Sequence, residues 1–262
     1  MKNLNKSYNG LEQIEVFSIK HWTKKTFSFQ CRRPKNLRFR SGEFVMIGLE
    51  NRDKPLLRAY SIVSPSWDEN LEFYSIKVKD GPLTSRLQNL SKGDRIFLKP
   101  KSVGTLVLDA LLPSKRLILF STGTGIAPFL SVIRDPETYE KFSQVILTHT
   151  CRFEDELEYG KKTIDKINDH NLISEFVGDK LQLISTTTRE NTSSMGRMTE
   201  WLQNGKFKSL TGKDLNLETD RVMICGSLEM LQEHKKICLE KGMVEGSNSA
   251  PGHFVIEKAF VD

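Results

Sequence analysis

From Glu15 to Leu108 the apolar positions recur mostly at every second residue. Phe27 and Phe29, the block Phe44 to Leu49, the alternation Leu71, Phe73, Ser75, Lys77 and the run Ile96 to Leu98 predict strands between polar or glycine-containing turns. One stretch breaks this rhythm: after a Gly81-Pro82 turn, Leu83, Leu87 and Leu90 fall on one helical face, predicting a helix over 84–90. Many short strands with one helix predict an antiparallel barrel. After Leu112-Pro113 the period changes. Apolar strands Arg116 to Phe120, Gln144 to Thr148, Lys180 to Ser185 and Arg221 to Cys225 alternate with helical stretches, and His253 to Phe260 supplies a last strand. That alternation predicts a parallel sheet with right-handed crossovers. The expected division is therefore 1–112, an antiparallel barrel, and 113–262, a parallel α/β domain.

The carboxyl ends of the second-half strands carry Thr122-Gly123-Thr124-Gly125, Thr150-Cys151-Arg152, Thr186-Thr187-Thr188-Arg189 and Cys225-Gly226-Ser227. In an open parallel sheet ligands bind beyond those ends, so one polar, glycine-rich rim marks the functional edge.

A chain of 262 residues suits about two domains, each with its own core. With 38% apolar and 27% charged residues it reads as a soluble globular protein. No apolar run approaches the ~18 residues that span a bilayer, and the start Met-Lys-Asn-Leu-Asn-Lys is too polar for a secretory signal, so the expected location is the cytoplasm, with no membrane association. Cys31, Cys151, Cys225 and Cys238 form no cluster, and the histidines are scattered, so no metal is expected. The net charge of +6 is modest, but Lys24, Lys25, Arg32, Arg33, Lys35, Arg38 and Arg40 crowd one stretch. Nucleic acid is one reading of such a run; without a nucleic-acid fold signature or aromatic platform, an acidic protein partner is the better one.

Two groups carry chemistry. Arg58-Ala59-Tyr60-Ser61 offers a cation, an aromatic face and a hydroxyl at a strand tip, which is what a flavin dinucleotide needs: pyrophosphate, ring and N5 edge in turn. Gly81-Pro82-Leu83-Thr84-Ser85 is either a capped helix start or a second clasp for the same ligand. Ser121-Thr-Gly-Thr-Gly-Ile-Ala-Pro128 is a phosphate-sized bend opening a helix, in which Gly123 and Gly125 allow backbone approach to a pyrophosphate. It lacks the Lys-Ser/Thr pair of a P-loop, and Pro128 stands where the full dinucleotide fingerprint has a third glycine. Arg152, Arg189 and Arg197 follow strand ends and favour the 2′-phosphate of NADP over the free hydroxyl of NAD, against the nearby Glu154, Asp155 and Glu190.

The order Arg-Ala-Tyr-Ser, Gly-Pro-Leu-Thr-Ser, Gly-Thr-Gly-Ile-Ala-Pro, Cys-Gly-Ser and Val255-Ile-Glu-Lys-Ala-Phe-Val261 resembles the bacterial ferredoxin (flavodoxin)–NADP reductases, particularly the subgroup ending in Ala-Phe-Val. The resemblance covers essentially the whole chain. It implies a six-stranded antiparallel FAD-binding barrel followed by a Rossmann-like NADP-binding parallel α/β domain. Tyr74, Ser75, Ile76 and Lys77 look like the strand flanking the flavin; Leu83, Thr84 and Ser85 look like its pyrophosphate clasp. Thr122, Gly123, Thr124 and Gly125 would take the NADP phosphates, while Cys225, with Gly226 and Ser227, would approach the nicotinamide. Ala259 and Phe260 would cover the flavin face, and Glu257 resembles a carboxylate used near the flavin, or is an edge-strand solvated side chain. The implied activity moves hydride between nicotinamide C4 and flavin N5, with Ser61, Cys225 and Glu257 as catalytic candidates, and single electrons between FAD and ferredoxin or flavodoxin. A monomer is implied. The rival enzyme is an NADPH-dependent free-flavin or quinone reductase on the same fold, and the rival outside enzymes is a flavin-binding sensor without turnover.

Overall fold

The structure is a computed structural model that describes residues 8–52 and 54–258; Ala259 and Phe260 lie outside the described residues. Six strands, β1 (Glu12–His21), β2 (Thr26–Arg32), β3 (Phe44–Leu49), β4 (Leu56–Ser61), β5 (Asn70–Ile76) and β6 (Arg95–Val103), pair antiparallel in the order β4-β3-β6-β1-β2-β5. Alternation drives Phe27, Phe29, Val45, Ile47, Phe73, Ile96 and Leu98 into one apolar core. The edge strands β4 and β5 approach at a hydrogen bond between Tyr60 Oη and Ser75 Oγ, 3.3 Å. Helix α1 (Thr84–Leu87) drops Leu83 and Leu87 into the same core. It stops short of the expected Leu90, which is only half-buried: the side chains of Gln88 and Asn89 both turn back to donate to the Ser85 carbonyl, and the chain leaves for β6.

The second sheet is parallel, in the order β11-β10-β7-β8-β9, from β7 (Arg116–Thr122), β8 (Gln144–Cys151), β9 (Leu181–Thr187), β10 (Asp220–Gly226) and β11 (Phe254–Lys258). Along β7, Leu117 and Leu119 face one core and Ile118 and Phe120 the other. The first is covered by α2 (Ala127–Val132), α3 (Pro136–Lys141), α4 (Glu158–Asn168) and α5 (Asn171–Val177); the second by α6 (Met198–Gln203), α7 (Lys206–Thr211) and α8 (Leu228–Glu240). At the bottom of the sheet Arg116 holds Asp220 by two parallel bonds of 2.7 and 2.6 Å in a fully buried pair.

The halves are bound along a seam. Asp135 Oδ2 accepts from the hydroxyls of both Ser41 (2.6 Å) and Ser66 (3.0 Å). Ser131 donates to the Ser64 carbonyl at 2.6 Å, and Tyr159 donates to Glu72 at 2.9 Å. Val63 and Tyr74 of the first half join the core of the second. The chain's basic run does not form one patch. Lys24 and Lys25 sit in the β1–β2 turn and Arg32 to Arg40 at the opposite end of β2, a strand of 7 residues spanning roughly 20 Å at about 3.3 Å per residue. Arg33 is spent on the carbonyls of Leu37, Ser66 and Asp68, and Arg40 on Glu43.

Candidate functional site

Register places the polar ends of the parallel strands side by side. Thr122 lies opposite Thr150, Cys151 opposite Thr187, and Cys225 opposite both Ser121 and Glu257. β7, β8 and β9 run two or three residues past their apolar runs, because Thr, Ser, His and Cys continue the ladder of their neighbours, and β10 runs one further, to Gly226. Above this rim opens a cavity of about 400 Å³, lined among others by Thr122, Gly123, Thr124, Arg152, Arg189, Arg197 and Ser227. All three arginines foreseen for a 2′-phosphate therefore face one space. Arg197 enters it already paired, at 3.1 Å to Glu229 and 3.2 Å to Glu233, and those carboxylates raise its pKa further.

Gly123 has φ +53°, in the left-handed region, with open space where a side chain would be. Gly125 has the reverse role: a Cβ there would meet the Cys225 carbonyl oxygen at 2.4 Å, so its bareness lets the loop pack onto the end of β10 and does not open a path for a ligand. A short 3₁₀ turn, Gly123–Ile126, then leads into α2, with Pro128 in its first turn.

A second cavity of about 300 Å³ opens between β4, β5 and the Gly81–Thr84 turn. Arg58, Ala59, Tyr60 and Ser61 line it along β4, Tyr74, Ser75 and Ile76 along β5, and Leu83 and Thr84 from the turn. Burial pushes the Tyr60 phenol up, against a lowering hydrogen bond from Ser75. Thr84 Oγ1 is buried without any hydrogen-bond partner, an orphaned polar atom in the wall of this cavity. The two cavities share Tyr74, Ile76 and Thr124 as a common wall. Tyr74 is held there by stacking on Tyr159 at 4.0 Å.

Several foreseen residues are placed elsewhere. Lys77 donates to the Thr23 carbonyl at 2.8 Å and lines neither cavity, because the β1–β2 turn presents it an acceptor. Ser85 closes its own helix turn on the Gly81 carbonyl at 2.6 Å and is not among the residues that line the cavity with Thr84. Cys225 is buried beneath the rim, its thiol pushed well up by burial and by Glu257. Glu257 is no solvated edge residue: it accepts from the Thr105 amide at 3.1 Å, and burial together with Glu43 raises its pKa to about 7. Residues the motifs did not mark also line the larger cavity, including Thr199, Glu229, Glu233 and His234. Their one signal is position, in the first turns of α6 and α8.

The profile of the oxidoreductase FAD-binding domain matches residues 13–106, and that of the oxidoreductase NAD-binding domain matches residues 119–236. The flavodoxin/ferredoxin–NADP reductase of Rhodobacter capsulatus is 56% identical over 248 residues, 94% of this chain and 92% of its own. The chain belongs to the ferredoxin/flavodoxin–NADP reductase family. The ferredoxin–NADP reductase of Pseudomonas aeruginosa is 47% identical over 256 residues, covering 97% of this chain and 99% of its own. A crystal structure of a ferredoxin NADP+ reductase from Neisseria gonorrhoeae with bound FAD and NADP superimposes with a TM-score of 0.87 at 28% identity, over 97% of this chain and all of that one. Within this family the rim of the parallel sheet belongs to the NAD-binding domain and the β4–β5 cavity to the FAD-binding domain.

Proposed function

We propose that this reductase uses the cavity between β4 and β5 for FAD and the larger one for NADP(H), moving hydride between them and single electrons between FAD and a small acidic carrier, ferredoxin or flavodoxin. The observation that carries this reading is the shared wall of Tyr74, Ile76 and Thr124: the two cavities adjoin, with only this one layer of side chains as their common boundary. The β4–β5 cavity suits a flavin dinucleotide, since the orphaned Thr84 hydroxyl and Arg58 supply a donor and a cation for a pyrophosphate, and Tyr60 supplies a ring to stack on. FAD, when bound, supplies the exchange between two-electron and one-electron chemistry.

The protein's own residues position. Ser61, at the end of β4, presents its hydroxyl to the flavin edge, and Thr124 with Gly123 holds the nucleotide phosphates. Cys225, neutral and buried, supports the nicotinamide end from below the rim and transfers no proton. Arg189 and Arg197 grip the 2′-phosphate, with Arg152 beside them. We divide the chain near Leu112, assigning residues 1–112 to FAD and 113–262 to NADP(H), and place the protein in the cytoplasm as a monomer. Among the described residues no helix is long and apolar enough to cross a membrane.

Anaerobic stopped-flow absorbance after mixing with NADPH or NADH tests both sites together. Rapid bleaching of the flavin band by NADPH, with strong preference over NADH, is expected. A yellow protein that does not bleach would make the chain a sensor, and loss of FAD on desalting with rapid turnover of added flavin would make it a free-flavin reductase.

A further inference from the structure

His149 is buried in the interior of β8, and burial pushes its pKa down to about 4, so the ring is neutral at working pH. Its Nε2 lies 3.0 Å from the carbonyl oxygen of Gly123. A carbonyl only accepts, so the proton is on Nε2 and the imidazole donates. The same Nε2 is 3.2 Å from Cys151 Sγ, which points its own S–H toward the Glu156 carbonyl at 3.7 Å and so acts as a second, weak acceptor. Space for the ring comes from α4: a Cβ on Gly160 would stand 3.1 Å from His149 Nδ1 and 2.7 Å from Ile126 Cδ1. One imidazole thus joins β8, the loop after β7 and α4.

This bond fixes a direction as well as a position. In a trans peptide the carbonyl of one residue and the N–H of the next point opposite ways. With the Gly123 carbonyl drawn inward to His149, the Thr124 N–H on the same plane points away from β8's interior, and Thr124 lines both cavities. Gly123, at φ +53°, has open space where a side chain would be, so no side chain of its own helps to hold that plane; the plane belongs to the 3₁₀ turn Gly123–Ile126 and is braced from β8 by His149. Glycine's freedom makes the loop possible, and the histidine narrows it.

We propose that His149 is a positioning residue that locks the Gly123–Thr124 peptide with its N–H toward the pyrophosphate of NADP(H), setting affinity for that part of the nucleotide without touching it. This rests on the larger cavity being the NADP(H) site.

The test uses FAD-loaded protein and equilibrium binding by calorimetry, with NADP+ and adenosine 2′-monophosphate as probes. The second probe carries the 2′-phosphate and no pyrophosphate. His149→Leu is expected to weaken NADP+ about tenfold, the order of one lost hydrogen bond, while 2′-monophosphate binding stays within about twofold. His149→Gln, whose amide nitrogen reaches as far as Nε2, is expected to recover most of the loss. Gly160→Ala, outside both cavities, is expected to reproduce the selective loss by displacing the ring, and it carries the comparison if His149→Leu does not fold. Unchanged NADP+ affinity, parallel weakening of both probes, or no recovery by glutamine would overturn the proposal. Failure of the unaltered protein to bind NADP+ would instead sink the assignment of the cavity, and with it this inference.

Discussion

At the scale of single residues, chemistry carried by contiguous motifs was legible, and chemistry carried by contacts was not. Arg58 to Ser61 fall along one cavity because they are consecutive in β4, an edge strand of the sheet. Lys77 and Ser85 line neither cavity because the carbonyls of Thr23 and Gly81 compete locally for their side chains, and no spacing rule reports that. His149 reads as one scattered histidine until the fold brings Gly123 against it from 26 positions away. Two outcomes belong here. Ser61→Ala should slow single-turnover flavin reduction by NADPH about tenfold with FAD still bound; unchanged reduction would remove Ser61 from the mechanism. Glu257 has its pKa raised from 4.5 to about 7, so across that window the folded protein keeps a proton the unfolded chain has lost. Its contribution to stability therefore falls as pH rises from 4.5 to 7 and is constant beyond. Glu257→Gln should remove that decline and gain on the order of 3 kcal/mol relative to the unaltered protein at pH 8, read from denaturant unfolding at several pH values. Equal gains at pH 4 and pH 8 would contradict it.

At the scale of elements, the change of apolar period from two to the strand–helix alternation was enough to give both sheets, because each strand face has a single core to meet. What periodicity missed were the ends. Thr122, Cys151, Thr187 and Gly226 stay in their strands by pairing with neighbours, and α1 stops at Leu87, where the side chains of Gln88 and Asn89 bond back to Ser85. One tight joint between elements is the turn after β7 against the end of β10. Gly125→Ala would put a methyl 2.4 Å from the Cys225 carbonyl oxygen and 2.7 Å from its carbon, backbone that cannot rotate aside. The expected loss is roughly 2 kcal/mol, lowering the thermal midpoint by about 5 °C, together with weakened NADP+ binding. A melting curve superimposable on that of the parent would show that the two segments are not in contact.

At the scale of the whole molecule, the basic run shows how far a linear reading can mislead: a strand of 7 residues separates charges that the sequence places together. Only the Lys24 end adjoins the cavities, through Lys25 and Thr26. Reversing Lys24 to Glu should therefore slow reduction of an acidic carrier several-fold at low salt, an effect that fades as ionic strength rises, while Lys35→Glu at the far end should do much less. Equal effects at both ends would mean that overall charge, and not a docking site, governs the encounter.

The seam built on Asp135 has a bearing on how such proteins can be recombined. Its two acceptor bonds reach serines 94 and 69 positions earlier, so half of each bond comes from either side of the chain. A hybrid made by joining the first half of one reductase to the second half of another would inherit every strand and both cavities, yet inherit this junction only if both parents built it from the same residues. The unit that evolution or an engineer can exchange is then neither half alone but the matched pair.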